Sequence, residues 1–324
     1  MRISIMPAMI VVFMTLLWQP LSVRAQQWPT GPIRIIESLP AGVARDNATR
    51  ILAQKLSAIL GQQVLVENRP GAAGRTAGLA GAKAKPDGYT FIMMGTSELA
   101  IIRHLYKLDY DIDYDFEPVS MVAEVPVALV VRASLPVRTL AEFIAYAKTH
   151  RNQLTYGSTG PGLFLHLNGA LFARDAGITL RHIPYLQGSP FTDLLGGHVD
   201  MVIDALQPTY ENILAGKLRG LALSGGHRAK VLPDLPTFAE AGLPAYNVHG
   251  FYGLLAPRGT PAQIIKSLQE AVAQAIKDPA VQFQLGDPVG ATTAASTPAE
   301  FATRIRQESD RWGNVVHANN INLQ

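Results

Sequence analysis

The residues best placed to do chemistry lie in the stretch Leu154 to His166, which reads LTYGSTGPGLFLH. This pattern predicts a short strand, a loop of small residues and the first turn of a helix. Gly157 lets the backbone approach a guest closely, and Ser158 and Thr159 add hydroxyl donors. A helix that starts after such a loop presents free N–H groups and a positive dipole end, which suit a carboxylate or a phosphate. The stretch predicts an anion-binding loop, and an ordinary strand–helix connection is the alternative that it leaves open.

Small or polar residues also follow three other predicted strands. Ligands bind beyond the carboxyl ends of the strands in open α/β sheets, so these positions should face one cleft. They are Ala41, Gly42 and Asp46 after the first strand, Gly95, Thr96 and Ser97 after the third, and Asp204 after a strand of the second unit.

Strand, loop and helix alternate along the chain, which predicts an α/β protein with open, mostly parallel sheets. Residues 26–125 and 251–324 are predicted to form domain 1, and residues 126–250 to form domain 2. The chain should cross between them along two apolar extended runs, 119–123 and 127–131, which Pro126 separates, and return along 251–256. Two helices near the C-terminus each begin with a capping sequence, Thr-Pro-Ala-Gln at Thr260 and Thr-Pro-Ala-Glu at Thr297. Both helices should pack on domain 1.

The first 25 residues have the pattern of a secretory signal peptide, with Arg2 before an apolar run and a cleavage site after Ala25. Cleavage would remove two arginines and no acids, so the formal charge would fall from +3 to +1. That balance gives no reason to expect a nucleic-acid partner. The chain has no cysteine, which excludes disulfides, thiolate metal sites and thiol catalysis. Its 48% hydrophobic and 16% charged residues are typical of a soluble globular protein.

Enzyme signatures are mostly missing from the sequence. Ser158 has Tyr156 where a nucleophile elbow needs glycine, no stretch fits a phosphate-binding P-loop, and the histidines are scattered without metal-ligand spacing. The residue types for a Ser–His–Asp triad exist in Ser158, His166 and Asp204. A secreted serine hydrolase is therefore the alternative of a different class.

Many short motifs, in order along nearly the whole mature chain, resemble the periplasmic solute-binding proteins of tripartite tricarboxylate transport systems, the Bug receptors. They are Trp28-Pro29-Thr30, Pro32-Ile33-Arg34, Gly61-Gln62, Val66 to Ala72, Pro86 to Thr90, Tyr156-Gly157-Ser158, His182 to Tyr185, Thr192 to Gly197, Ala215 to Arg219, Leu232 to Thr237 and Gly253 to Pro257.

The resemblance implies a two-lobed, type II Venus-flytrap fold, in which two α/β domains are joined by two crossing strands. It implies no catalysis, cofactor or metal, and a monomer in the periplasm that passes a small carboxylate to membrane transporter subunits. The family's pocket loops fall on residues 40–46, 95–97 and 157–166, with Tyr185 and Asp204 also in the pocket. A receptor that reports to a membrane sensor would look the same in sequence.

Departures from the family pattern suggest a particular ligand. The first loop usually reads Pro-Pro-Gly-Gly, whereas here Val43 and Ala44 add Cβ atoms and Arg45 adds a bidentate fork for a carboxylate, or else a solvated helix-end cation. Leu163 replaces a frequent serine, and residues 186–190 lack a basic residue that commonly follows the tyrosine. These changes favour an aromatic or longer carboxylate over a short dicarboxylate.

Two candidate residues have more than one possible role. Asp204 should repel an anion unless it accepts from water, a hydroxyl or a ligand amine, or it bonds instead to backbone N–H groups at the next helix start. His166 is expected to help fix the loop from within the helix rather than to act as a catalyst.

Overall fold

The alternation of strand and helix that the sequence predicts is present in a computed structural model, which describes residues 28–185, 190–319 and 321. The predicted signal peptide and residues 186–189 lie outside these ranges. The strands are β1 Ile33–Glu37, β2 Val64–Asn68, β3 Thr90–Gly95, β4 Phe116–Arg132, β5 Thr155–Ser158, β6 Arg181–Pro184, β7 Met201–Ala205, β8 Leu218–Leu223, β9 His249–Pro257 and β10 Thr292–Thr293. The helices are α1 Ala44–Leu60, α2 Arg75–Ala82, α3 Leu140–Thr149, α4 Phe164–Asp175, α5 Pro190–Gly196, α6 Tyr210–Leu214, α7 Ala262–Ile276, α8 Pro279–Gln284 and α9 Pro298–Ala318. Short 3₁₀ turns cover Ala72–Gly74, Ile102–His104 and Asp287–Val289, and a π-helical turn covers Ser97–Ile101.

The strands form two mixed sheets that share β4, in the order β2-β1-β3-β9-β4-β7-β5-β6, with β8 and β10 also paired to β4. In the first lobe β2, β1 and β3 are parallel, and in the second lobe β6, β5 and β7 are parallel. The parallel strands of each lobe therefore end at one common edge. The crossing strands β4 and β9 run antiparallel to their neighbours, so each sheet is mixed rather than wholly parallel.

The crossing segment is one continuous strand, where the sequence predicted two runs on either side of Pro126. β4 has 17 residues and runs through the proline. A proline removes a single ladder donor and its fixed φ fits an extended strand. The next amide, that of Val127, donates to Ser224 Oγ at 2.8 Å, so the local hydrogen bonding is restored by a side chain.

Apolar residues cover both faces of each sheet because successive side chains of a strand point in opposite directions. In the first lobe Ile33 and Ile35 pack with α1 and α7, while Ile36 packs with Phe301 of α9. In the second lobe Leu129 and Phe143 belong to one core. The opposite face of that sheet has its own core, whose main members are Ala128, Val130, Val202 and Leu223.

Helix α9 packs on the first lobe, as the sequence predicts, and it also packs on the second lobe. Phe301 and Ile305, in its first half, belong to a core of the first lobe. Trp312 and Val316, in its second half, belong to the main core of the second lobe, and Trp312 is fully buried. Among the described residues, no helix combines the length and the apolar character that crossing a bilayer requires.

The two predicted capping sequences behave differently. Thr297 and Glu300 form the full reciprocal capping box at the start of α9. At α7 the prediction was wrong, because the Thr260 hydroxyl donates to the Pro257 carbonyl at 2.7 Å and makes no cap bond to the helix.

Replacing the cap of α9 should therefore cost stability. Thr297→Ala should lower the free energy of unfolding by about 1 kcal/mol, since an amide of the first turn loses its acceptor. Denaturant unfolding monitored by circular dichroism measures the change. Thr303→Ala is the matched control, because Thr303 is exposed within the same helix. Equal losses in the two variants would contradict the capping role.

Candidate functional site

A buried ion cluster closes the carboxyl ends of β1 and β3 in the first lobe. The Arg45 Nη2 atom lies 2.8 Å from Glu37 Oε1 and 2.8 Å from Glu98 Oε1, and its side chain is 12% exposed. Burial alone would lower the pKa of Arg45, but Glu98 and Glu37 raise it above the usual value. Burial would raise the pKa of Glu98, but Arg45 outweighs it and lowers that pKa to about 2. Arg45 and Glu98 are thus charged at neutral pH, and the fork of Arg45 is filled by the side chains of Glu37 and Glu98.

Backbone amides of the first-lobe loops also donate to side-chain carboxylates. The Leu39 amide donates to Glu37 at 3.1 Å, and the Gly95 amide donates to Glu98 at 3.1 Å. The Gly42 amide donates to Asp46 Oδ2 at 2.8 Å. Asp46 lies in the first turn of α1, where Arg50 and Asn68 outweigh the effect of burial and lower its pKa. The candidates Ala41 and Gly42 themselves are exposed.

The two candidates after β3 bond to different neighbours, Thr96 to β9 and Ser97 to the second lobe. Thr96 is buried, and its hydroxyl bonds to both the amide and the carbonyl of Phe251 on β9. The Ser97 hydroxyl accepts from the Phe164 amide of the second lobe at 3.2 Å. The start of α4 therefore lies at the boundary between the lobes.

The loop before α4 has the shape that the sequence predicts. Gly160 and Gly162 adopt φ of 139° and 71°, a region that other residues rarely enter. The Gly162 amide donates to His166 Nδ1 at 2.9 Å, so His166 fixes the loop from within the helix. In the described part of the chain, the amides of Leu165 and His166 in the first turn of α4 have no protein acceptor. No acidic side chain lies in that turn.

Ser158 is fully buried and belongs to a polar stack beneath the loop. Its hydroxyl lies 2.6 Å from His182 Nε2, and the His182 ring stacks on His166 with ring centroids 3.9 Å apart. Burial, and then the neighbouring His166, lowers the pKa of His182 to about 4, and burial also lowers that of His166. Both rings are neutral at neutral pH. Thr159, by contrast, is exposed.

The Ser158, His166 and Asp204 side chains are not assembled as a triad. Ser158 bonds to His182, a residue that sequence reasoning did not single out, while Asp204 Oδ1 accepts from the Ala205 amide at 2.7 Å. Burial raises the pKa of Asp204 to about 7, and the Ala205 amide offsets only part of this effect. Asp204 lies at the end of β7, beside the end of β5, and is partly exposed there.

The remaining candidates pack around the same edge. The Tyr185 amide donates to the Ser158 carbonyl at 2.8 Å, and its hydroxyl donates to Asp193 at 2.6 Å. Burial and Asp193 raise the pKa of Tyr185 to about 12. Gly157 has to be small, because a Cβ there would lie 2.6 Å from a Pro190 side-chain atom. Leu163 is the partly exposed residue that precedes α4.

The Phe164 side chain, next to Leu163, lies at a contact between three elements. The ring packs edge-on against Trp312 of α9, with centroids 5.5 Å apart, and approaches Gly250 on β9. It therefore fills the contact between α4, the crossing strand and α9.

Sequence reasoning also missed Glu37 and Glu98. Both had a visible signal, since Glu37 ends an apolar strand and Glu98 directly follows Gly95-Thr96-Ser97. An acid in such a place must find a partner when it is buried. Within the described ranges, no cluster of three or more histidine or acidic side chains could hold a metal ion.

The raised pKa of Asp204 predicts a pH-dependent cost to stability. The carboxyl has a pKa of about 3.9 in the unfolded chain and about 7 in the folded protein. The free-energy penalty of burying its charge is therefore absent below the lower pH, grows between the two values and is complete above the higher one. Asp204→Asn should therefore gain stability over the wild type between about pH 4 and pH 7, and keep a constant gain above that. The gain should be on the order of 1–3 kcal/mol, because water reaches part of the side chain.

Thermal unfolding of both proteins from pH 4 to pH 9 measures this difference. Asp234→Asn serves as the control, because Asp234 is an exposed acid of the same lobe. A gain that does not change with pH would refute the titration of Asp204.

Comparison with known proteins places this arrangement in a family. A family model described as the tripartite tricarboxylate transporter family receptor matches residues 48–321. A protein from the tcbD-tcbE intergenic region of Pseudomonas sp. (strain P51) is 36% identical over 301 residues, which cover 91% of this chain and 89% of the relative. The protein BugT of Bordetella pertussis (strain Tohama I) is 33% identical over 327 residues, covering 100% of both.

Solved structures agree with this placement. Rpa4515 of R. palustris, solved with adipate, has a TM-score of 0.83 and 34% identity, covering 91% of this chain and 100% of its own. MatC (Rpa3494) from Rhodopseudomonas palustris, with bound malate, has a TM-score of 0.77 and 31% identity, covering 89% and 99%. The two-lobed α/β fold is that of periplasmic binding proteins, and the chain belongs to the tripartite tricarboxylate transporter receptor family, which includes the Bug proteins.

Proposed function

We propose that this protein is a periplasmic receptor that closes its two lobes on a small organic acid and delivers it, as a monomer, to the membrane subunits of a transporter. The observation that carries the proposal is the start of α4. Its Leu165 and His166 amides have no protein acceptor in the described part of the chain, and the Phe164 amide beside them is bonded to Ser97 of the other lobe.

The physical chemistry of that turn suits a carboxylate. Free amides and the positive end of the helix dipole attract an anion, and no acid in the turn competes. The neutral Ser158–His182–His166 stack holds the loop in place without adding charge. Gly157, Thr159 and Leu163 would surround the bound group from the loop side.

Two relatives support a carboxylate ligand and the family supports the partner. Rpa4515 was solved with adipate and MatC with malate. The family model describes a transporter receptor, which implies delivery to membrane subunits from the periplasm. The secretory pattern of residues 1–25 agrees with that location.

The hinge of closure is proposed where the crossing strands exchange lobes. There Val125 pairs with Gly250 and Pro126 pairs with His249. These pairs support domain boundaries after residues 125 and 250. Rotation of one lobe about these positions would open and close the cleft without breaking either sheet.

A secreted hydrolase is the second candidate, and the geometry weighs against it. Ser158 is fully buried, and its hydrogen bond goes to a histidine whose pKa is lowered to about 4. If Ser158 were the nucleophile of a hydrolase, Ser158→Ala would lose its hydrolytic turnover. We expect this variant to keep ligand binding and to show no loss of turnover. A receptor that reports to a membrane sensor is a further alternative, and the neighbouring genes distinguish it. Genes for membrane transport subunits beside this one would support the transporter, and a gene for a sensor kinase would support the sensor.

An aromatic or longer acid is the proposed ligand class, because Leu163 adds apolar surface beside the anion loop and no basic side chain follows Tyr185. Isothermal calorimetry against succinate, malate and aromatic acids should show stronger binding of the aromatic acids. Tight binding of succinate or malate with no binding of aromatic acids would contradict this preference.

Removing the exposed hydroxyl of the loop should weaken binding. Thr159→Val keeps the shape of the side chain, and the loss of one hydrogen bond to a charged ligand should raise Kd about ten-fold. Thr179→Val is the matched control, since Thr179 is exposed in the same lobe before β6 starts, at the other end of the strands. Thermal-shift titration with the acids that calorimetry identifies measures both. An unchanged Kd for Thr159→Val would exclude this hydroxyl from the site.

A further inference from the structure

We infer that Trp312 of α9 and Ser97 form a clasp on Phe164, the first residue of α4, and that this clasp favours the closed orientation of the lobes before a ligand binds. This inference rests on the proposed closure of the lobes and names the contacts that control it. Its basis is that α9 is fixed to the first lobe, whereas α4 belongs to the second.

Helix α9 contacts the first lobe along most of its length. Phe301 and Ile305 belong to a core of that lobe. Farther along, the Ser309 hydroxyl bonds to the His104 ring across 3.0 Å, and a Cβ on Gly313 would lie 2.8 Å from the same ring. These contacts recur every four residues and extend over about three turns, so they follow one side of the helix. α9 should therefore move with the first lobe.

Charged neighbours on α9 hold the Trp312 indole in place. Its Nε1–H donates to Glu308 Oε2 at 3.0 Å. Glu308 is 4% exposed and lies between Arg304, at 3.6 Å, and Arg311, at 3.7 Å. Arg304 also pairs at 3.0 Å with Glu124 of β4, next to the proposed hinge. A buried carboxylate with several partners has a fixed position, and it fixes the ring from which it accepts.

Trp312 meets the second lobe at the residue that starts α4. Its ring is fully buried and lies edge-on to the Phe164 ring, with centroids 5.5 Å apart. The Phe164 amide donates to Ser97 Oγ of the first lobe at 3.2 Å. The Phe164 ring also reaches the proposed hinge, where a Cβ on Gly250 would lie 3.3 Å from its Cε1 atom. The first lobe therefore holds Phe164 by its backbone and by its ring.

Opening the cleft would break this clasp. Ser97 follows β3 and Phe164 follows the loop after β5, so their hydrogen bond joins strand-end loops of the two lobes. A rotation about Val125 and Gly250 that separates these loops must lengthen the bond and expose part of both aromatic rings to water. The clasp thus stabilises the closed orientation without a ligand. The apparent affinity for a ligand rises with the fraction of the protein that is already closed.

Two phenylalanines of α4 provide a matched pair of variants. Phe164→Leu loses the contact with Trp312 across the lobes. Phe172→Leu is the control, because Phe172 is fully buried within the second lobe. Its ring packs against those of Phe143, Phe238 and Tyr246. Both variants remove one ring from the same helix, and Phe164→Leu alone changes a contact between lobes.

The distance between the lobes is the first measurement. Because the chain has no cysteine, Gln54→Cys and Ala145→Cys place one spin label on an exposed helical site of each lobe. Pulsed electron paramagnetic resonance on the ligand-free proteins should show a longer and broader distance in Phe164→Leu, and the wild-type distance in Phe172→Leu. An unchanged distance in folded Phe164→Leu overturns the inference and leaves the proposed function standing.

A second variant removes the other ring of the clasp. Trp312→Leu should lengthen the distance as Phe164→Leu does, and combining the two should add little, because both remove the same contact. A full additional change in the double variant overturns the inference. If one single variant does not fold, the other decides, and Ser97→Ala, which removes one hydroxyl, decides if neither folds.

Ligand affinity is the second measurement. Isothermal calorimetry with adipate, malate and benzoate should give Phe164→Leu a Kd about three- to ten-fold above that of the wild type, and leave Phe172→Leu unchanged. A longer distance with an unchanged Kd would show that the clasp does not favour the closed orientation, and overturns the inference. If the wild type binds none of these acids, that result counts against the proposed function, while the distances still decide the clasp.

Discussion

The pairing of β4 with β9 is the constraint on which the rest of the structure depends. The two strands lie side by side from Phe116 opposite Pro257 to Pro126 opposite His249, and β4 then continues into the second lobe. Each lobe adds its parallel strands to this shared pair. Because parallel strands end at one edge of a sheet, both lobes direct their strand-end loops to the boundary that the pair creates.

The two strand-end edges have the same geometry and different electrostatics. In the first lobe, Glu37 and Glu98 accept from loop amides, and Arg45 compensates part of their charge. In the second lobe, a neutral serine and two neutral histidines hold the loop. Two similar α/β units thus hold their strand-end loops with different chemistry, one with ion pairs and one with neutral side chains.

The sequence predicted the parts of the structure that local patterns determine. The alternation of strands and helices is observed, and the Thr297 capping box is confirmed. The prediction failed where contacts between residues far apart in the sequence determine the structure. The continuity of β4 through Pro126 depends on neighbouring strands, and the second-lobe packing of α9 depends on Trp312 meeting Phe164.

The same distinction between local patterns and distant contacts applies to the candidate site. The loop before α4 followed from its glycines, whereas the partners of its side chains did not. Arg45 and Glu98 are 53 residues apart, and Ser158 and His182 are 24 apart. Nothing in the local pattern says which guanidinium meets which carboxylate, because that choice depends on the register of the strands that carry them.

The position of Trp312 has an optical consequence. The chain has three tryptophans, and removal of the proposed signal peptide leaves Trp28 and Trp312. Trp28 packs on Phe91 within the first lobe, while Trp312 lies in α9 against Phe164 at the start of α4. One indole thus stays within a single lobe, and the other lies where the lobes meet. Trp312 is thus placed to report the proposed lobe closure by its fluorescence, with Trp28 as an internal reference.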